Sequence, residues 1–405
     1  MATAAKLITA TDEADYGLPA WAYTDADMLA AEKARVFAPS WQIVCHLNDI
    51  PDAGDWRQLS ILGENIVAVR GEDNTVRAFA NVCRHRGARI LDGSAGCAKK
   101  LICPYHAWTF ELDGRLSGVP NRRDYPALDP REHSLVEYPI EIWRGFVFAS
   151  IATPPASVAE MMAPFEAEIA PYRLEEMQAI GRVTTRPRPA NWKNISDNYS
   201  DGLHIPVAHP GLKRLFPGDA YAVQATEWVD RLGGPIALDP KASLSERLYF
   251  QHLPNVDHLP ADRQRYWFYY KLWPNVAFDL YADQIDFMQF IPLTPDTTMI
   301  RETAYALPDD RREMRVARAL NWRINRRVSQ EDSDLVARVQ DGMKSSSFVR
   351  GPLGTSEVCL RALARRMRTL VPEVCALTPP PAGWGRIQKP LPFRGGVGVG
   401  PSPHA

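Results

Sequence analysis

The sequence predicts an α+β protein of two domains: an N-terminal all-β unit, then a unit in which helices cover an antiparallel sheet. Three observations predict it. At 405 residues the chain exceeds the size at which one core usually stops growing. From about Gln58 to Ser150 the text is strand-like. After "ATPPAS" (152–157) helical and strand-like stretches alternate, so a domain boundary is expected there.

Within the first unit, "SILGENIVAVRGEDNTVRAFANV" (60–82) reads as short β runs broken at Gly-Glu-Asn and Gly-Glu-Asp-Asn turns, and "EIWRGFVFASI" (141–151) alternates apolar and polar residues. "SVAEMMAPFEAEIAPYRLEEM" (157–177) reads as helix with proline interruptions. "RYWFYYKLWPNVAFDLYADQIDFMQFIPL" (265–293) is aromatic and alternating, as strands of a sheet covered on one face would be. Residues 310–345 have helical character with few breakers. The end, from 378, is rich in Pro and Gly and is expected to form an extended or poorly ordered tail.

The composition, 45% hydrophobic and 23% charged with a formal net charge of −1, offers no electrostatic reason to bind nucleic acid or anionic membrane. No run of eighteen apolar residues occurs and the N-terminus lacks a signal pattern, so a soluble cytoplasmic protein is expected. Six cysteines are too sparse for a disulfide scaffold. Cys45, Cys359 and Cys375 are expected to pack as small hydrophobes, and Cys97 to be structural.

The remaining cysteines sit in "CRHRG" (83–87) and "CPYHAWTF" (103–110), which supply Cys83, His85, Cys103 and His106. Zinc sites usually group like ligands with like, and four such residues in two compact loops are hard to ascribe to core packing. A [2Fe–2S] cluster in which one iron takes two thiolates and the other two imidazoles fits better, because each loop then gives one ligand to each iron: the Rieske arrangement. Alone, such a centre makes only an electron carrier. Downstream, "NWKNISDNYSDGLHIPVAHPGL" (191–212) brings Asp201, His204 and His209 into one stretch. On a helix Asp201 and His204 would share a face; Pro206 would disturb that helix and let His209 swing toward the same metal. Two imidazoles and a carboxylate on one side of a non-haem Fe(II) leave positions open for O2.

With these motifs in this order, the chain from about Trp41 to about Val371 resembles the catalytic α subunits of Rieske-type ring-hydroxylating and demethylating oxygenases. The resemblance implies an N-terminal Rieske domain and a helix-grip-like catalytic domain, dividing the chain at 1–39 (a segment packing on the catalytic domain), 40–155, 156–377 and 378–405. It implies that His204 and His209 bind the mononuclear Fe(II), with Asp332 of "QEDSDLVARVQ" as third ligand and Glu331 and Asp334 as alternatives. It makes Asp201 a bridging carboxylate between an iron-ligand histidine and a cluster histidine of a neighbouring subunit, here His106, in a head-to-tail homotrimer with or without a β subunit. Asn198 falls near a family asparagine beside the iron. Respiratory Rieske proteins carry a further cysteine in each loop; here those positions are Ala88 and Tyr105. Asp197 stands where many members have Glu, and Gly202-Leu203 where many have Cys-Tyr, which weakens any transfer of substrate preference.

No flavin, nicotinamide or plant-type ferredoxin fingerprint is visible, so a separate reductase, with or without a ferredoxin, is expected to deliver NAD(P)H electrons. Between Cys83 and Arg123, eight Lys/Arg (Arg84, Arg86, Arg89, Lys99, Lys100, Arg115, Arg122, Arg123) face three acids (Asp92, Glu111, Asp113), a surface that could steer an acidic donor. "YYKLWPNVAFDLY" (269–281) resembles members acting on quaternary ammonium compounds, and the substrate expected is a small aromatic or N-methylated molecule. The competing class is an electron-transfer protein whose C-terminal domain only binds a partner.

Overall fold

The computed structural model describes residues 15–181, 183–218 and 220–385. In the N-terminal unit, Asp55–Ile61, Glu64–Arg70 and Val76–Ala80 form an antiparallel meander, extended by Ala95–Cys97 at one edge and Glu137–Tyr138 at the other. The first hairpin turns on Leu62 and Gly63, both at positive φ, one residue before the expected Gly-Glu-Asn turn. A two-residue turn of this hand matches the twist of the strands it joins. A smaller sheet, Leu101–Ile102, Thr109–Phe110 and Leu116–Gly118, packs on the meander through Trp56, Val67, Phe79, Leu101, Trp108 and Phe110. Cys83 and Cys103 belong to that same core. A third sheet, Gln42–His46 with Phe146–Ala149 and Ile140–Trp143, leads toward the second unit.

The second unit is built on an antiparallel sheet of eight strands. From Gln178–Ala179 and Thr184–Arg188, both paired to Thr297–Ala306, it runs through Ile285–Thr294, Val276–Leu280, Tyr266–Leu272 and Val229–Pro235 to Ala222–Ala225. The period of two sorts its side chains. Phe268, Tyr270, Phe278, Phe287 and Tyr305 face one layer, made of Trp143, Phe146, Phe165 and Tyr172. Ala277 and Phe290 face the other way and cluster with Ile195 and Val336 of two helices. The sheet is therefore covered on both faces, not on one as expected. This explains why "YWFYY" is nearly continuously apolar.

The predicted C-terminal helix is Arg312–Gly342, 31 residues and so about 46 Å long. The predicted interrupted helix is a chain of short turns, Val158–Met162, Ala163–Phe165, Glu166–Ile169 and Ala170–Tyr172; Pro164 and Pro171 each stand near the start of a new turn, where the missing N–H costs nothing. Among the described residues no helix is long and apolar enough to cross a membrane. Cys45 and Cys359 are buried as expected, but Cys97 and Cys375 are exposed. Cys97 sits on an edge strand, and in Pro372–Cys375 the core-facing residue is Val374. The Pro/Gly tail is described only to Gly385; there Trp384 lies edge-on to Trp21, 5.8 Å between ring centroids, and 386–405 lie outside the described residues.

Ala26–Glu32 anchors the helix Trp192–Ser200: Glu32, fully buried, accepts from Trp192 Nε1 at 2.9 Å and pairs with buried Lys193 Nζ at 2.5 Å. Burial raises the Glu32 carboxyl and depresses the Lys193 amine, each opposed by the other's charge. Removing one partner strands the other without water. Lys193→Met is expected to lower unfolding free energy by about 3–5 kcal/mol, whereas the double variant with Glu32→Gln recovers most of it; denaturant midpoints check this.

Candidate metal centres

The two cysteine–histidine loops are built alike. In each, the cysteine amide donates five residues on, Cys83 N to Ala88 O (2.8 Å) and Cys103 N to Trp108 O (2.9 Å). In each, the residue four past the cysteine donates back to it: Gly87 N to Cys83 O and Ala107 N to Cys103 O, both 3.0 Å. Both residues take positive φ, which glycine adopts freely and Ala107 only with strain. The turns present all four side chains to one place. His85 and His106 lie 4.6 Å apart between ring centroids, and Trp108 stacks on His85 at 4.8 Å with planes 7° apart. Burial holds the Cys83 thiol above its ordinary range, with Cys103 adding to the effect, so cluster binding must displace a proton there. Burial, His106 and Arg86 all disfavour a proton on His85, leaving the neutral imidazole that iron requires.

The donor set fits an iron–sulfur cluster on an observation independent of spacing. The Nδ1 atoms of His85 and His106 are buried yet have no hydrogen-bond partner among the described residues. Buried imidazole nitrogens are rarely left so, and an iron ligand bond would satisfy both. All six cysteines are free, so no disulfide ties these loops.

The second centre forms where a helix breaks. Trp192–Ser200 ends before Asp201, whose backbone is extended (φ −91, ψ 127). Asp201 and His204 are therefore not on one helical face, contrary to expectation. Instead Asp201 folds over the turn that follows: Oδ1 accepts Leu203 N at 2.7 Å and Oδ2 accepts His204 N at 3.2 Å. Pro206 opens a new short helix, Ile205–Ala208, rather than breaking an old one, a position its fixed φ favours. That helix carries His209 back to within 3.1 Å of His204, Nε2 to Nε2. Asp332 of the long helix completes the group, with Oδ1 2.9 Å from His209 Nε2 and 3.6 Å from His204 Nε2. Among the described residues these three form the group whose donor atoms converge as a metal requires.

The alternatives separate by helix phase. Glu331, one residue earlier, reaches the far side of His209, its Oε2 2.9 Å from Nδ1. Asp334 is exposed and accepts from Gln330 Nε2 at 3.3 Å. Thus each histidine offers Nε2 inward and gives Nδ1 to a carboxylate, Asp201 (3.0 Å) for His204 and Glu331 for His209. Such partners fix the tautomer and orient the ring. Burial opposes a proton on His204, but Asp201 and Asp332 outweigh it and hold the imidazole at about 9; an incoming Fe(II) must displace that proton. Asn198 Nδ2 lies 3.5 Å from His204 Nε2. The pairing of Glu331 with His209 was not anticipated; an acid beside Asp332 was the only signal for it.

Residues 40–139 match the Rieske [2Fe-2S] domain family and residues 173–373 the ring hydroxylating alpha subunit (catalytic domain) family. The carnitine monooxygenase oxygenase subunit of Acinetobacter pittii (strain PHEA-2) is 31% identical over 336 residues, 80% of this chain and 85% of that protein. The chain belongs to the Rieske oxygenase α subunits. The corresponding subunit of Escherichia coli (strain K12) is 39% identical over 206 residues, a match spanning 50% of this chain and 55% of that protein. The solved quaternary ammonium Rieske monooxygenase CntA in complex with L-carnitine superimposes with a TM-score of 0.74 at 25% identity, covering 89% of this chain and 97% of that one. As a Rieske oxygenase α subunit, the chain carries a Rieske [2Fe–2S] cluster and a mononuclear iron site of His-His-Asp type.

In this Rieske oxygenase α subunit the triad opens onto a cavity of about 550 Å³ between the sheet and the long helix. Its floor is apolar, from Ile195, Phe290, Ile300 and Val336. Tyr199, Tyr221 and Tyr269 give it aromatic faces. Of the aromatic stretch read from sequence (265–293), Tyr269 and Phe290 line this cavity, whereas Tyr266, Trp267, Tyr270, Trp273, Phe278, Tyr281 and Phe287 do not. The others are mostly core, as alternation on a doubly covered sheet dictates. Sequence reasoning missed Arg188, Asp279 and Asp286, which also line the cavity. For Asp279 and Asp286 a charged residue inside an apolar strand was the only signal; Arg188, in the polar strand Thr184–Arg188, had none.

Proposed function

We propose that this chain is the terminal oxygenase of a multicomponent system that uses O2 and NAD(P)H-derived electrons to hydroxylate or oxidatively demethylate a small N-methylated or aromatic substrate. The supporting observation is the placement of the His204–His209–Asp332 group on the wall of an aromatic-lined cavity, so that an iron held by these residues would lie beside a bound molecule. Fe(II) would supply the site of O2 activation and the cluster the electrons, one at a time.

In this reading Cys83, His85, Cys103 and His106 hold the cluster, and His204, His209 and Asp332 hold the iron. Asp201 and Glu331 accept the Nδ1 protons, keeping both Nε2 lone pairs for the metal. Asn198 lines the same wall as His204. Asp201 also reaches His106 of a neighbouring copy in a head-to-tail homotrimer, with or without a β subunit. The exposed apolar side chains of Leu203 and Val207 beside it suit such a contact. Three tyrosine faces suit a methylated cation or a flat ring, and the relatives above favour the cation. A reducing cytoplasm suits six unpaired cysteines.

Iron analysis tests the assignment: about three irons per chain are expected, because a two-iron cluster and one further iron are separate sites. Two irons, with no substrate-coupled O2 uptake in the presence of a surrogate reductase, would leave the carrier reading instead. Partner docking is tested by salt. Lys100, Arg89 and Arg115 pair with Glu111, Asp92 and Asp113, while no ion pair engages Arg84, Arg86, Lys99, Arg122 or Arg123 among the described residues. The rate of cluster reduction by the cognate reductase should therefore fall as ionic strength rises. A flat profile would remove the steering role.

A further inference from the structure

We infer that the cavity is a bipolar receptor for a zwitterion, in which Asp279 and Asp286 receive the substrate's cationic nitrogen and Arg188 its carboxylate. The inference rests on the N-methylated reading above and names the groups that would select within that class.

The cationic subsite follows from register. Val276–Leu280 and Ile285–Thr294 pair so that Asp279 stands directly opposite Asp286, both on the face that lines the cavity. Like charges in directly opposed positions repel; Asp279 is buried and Asp286 half-buried, so bulk water screens them only in part. Burial holds Asp279 up at about 7; burial also raises Asp286 well above the ordinary carboxylate range, with Asp279 adding to the effect. Asp279 accepts hydroxyls from Tyr199 (2.5 Å) and Tyr281 (3.2 Å), and Asp286 accepts Gln284 Nε2 at 2.8 Å. Among the described residues no ion pair engages either acid. Their neighbour Glu302 shows the contrast, since Arg186 neutralises it at 2.7 Å. Two close carboxylates without a cation, in the wall of a substrate cavity, leave a place for a positive charge to be brought in. A methylated nitrogen with few or no N–H donors needs that field and aromatic faces rather than free lone pairs, and Tyr199, Tyr221 and Tyr269 supply the faces.

The anionic subsite lies on another strand. Along Thr184–Arg188 the period of two turns Thr184, Arg186 and Arg188 inward. Arg186 is matched by Glu302, but among the described residues Arg188 donates to neutral oxygens, Ser329 Oγ at 3.0 Å and Pro187 O at 3.5 Å. Burial, then Arg186, depress its pKa against smaller opposing fields from Glu302 and Asp332, and among the described residues no ion pair engages it. Ser329 precedes Asp332 by about one turn of the long helix, so the anion would be held on the metal's side of the cavity. A planar fork with a spare face is suited to a carboxylate.

Three probes of one shape separate the charges: γ-butyrobetaine carries both, butyltrimethylammonium only the cation, and 5,5-dimethylhexanoate only the anion. Calorimetric affinities are measured on holoenzyme whose cluster absorption and iron content match the wild type. Asp286→Asn should weaken γ-butyrobetaine and butyltrimethylammonium roughly tenfold or more and spare dimethylhexanoate. Arg188→Gln should weaken γ-butyrobetaine and dimethylhexanoate by a similar factor and spare butyltrimethylammonium. Losses shared alike by all three probes, or by none, would overturn the inference while leaving the N-methylated reading standing. Failure of the wild type to bind any of the three would overturn both.

Discussion

His204→Ala will bring turnover to background while the visible spectrum of the cluster persists. His204 supplies one of three converging donors, and its Nε2 stands 3.1 Å from that of His209. Removing a partner that merely orients a metal ligand costs roughly 10–100-fold, and removing the ligand itself should cost more. Iron should fall from about three per chain to about two, because the cluster loops lie in a separate domain with their own core. The alanine leaves Asp201 without its imidazole partner, but its bonds to the backbone amides of residues 203 and 204 still hold the turn. Product formation by the variant, or a retained third iron, would remove His204 from the metal site.

Asp201→Asn should separate electron delivery from metal binding. The side chain keeps its shape and can still accept from Leu203 N, so both iron centres should remain loaded. What it loses is the negative charge on His204 Nδ1, 3.0 Å away, and in the proposed trimer the same charge toward His106 of the next copy. Steady-state turnover should drop by roughly 10–100-fold. Stopped-flow absorbance should show the cluster still reduced by the reductase at the wild-type rate, but remaining reduced during turnover. If reoxidation by O2 and substrate stays as fast as in the wild type, Asp201 is only a structural cap of the turn.

These two variants act on residues within four positions of one another, which is why the region was legible from sequence. The cluster loops were legible for the same reason: each closes its own turn in six residues, so spacing dictates which cysteine and histidine it presents together. Asp332 is different. Its contact with His209 spans 123 residues, and no local rule selects it over Glu331 or Asp334. The long helix decides, because a step of one residue rotates a side chain by about 100°. That rotation sends Glu331 to the outer nitrogen of His209 and leaves Asp334 in solvent. The helical relation assumed for Asp201 and His204 failed through the turn chemistry of aspartate, which bonds the amides after it more readily than it continues a helix.

By itself the sequence determined the α+β plan, the two cysteine–histidine loops, the histidine pair and the approximate extent of the C-terminal helix. All of these depend on spacing within one turn or on periodicity along one element. Only the tertiary structure decided that the sheet is covered on both faces, that Tyr269 and Phe290 alone of the aromatic stretch line the cavity, and that Asp279 faces Asp286 while Arg188 makes no ion pair among the described residues. The physical reason is that strand pairing joins residues far apart in the chain. A shift of a single residue in register would send those side chains to the opposite face.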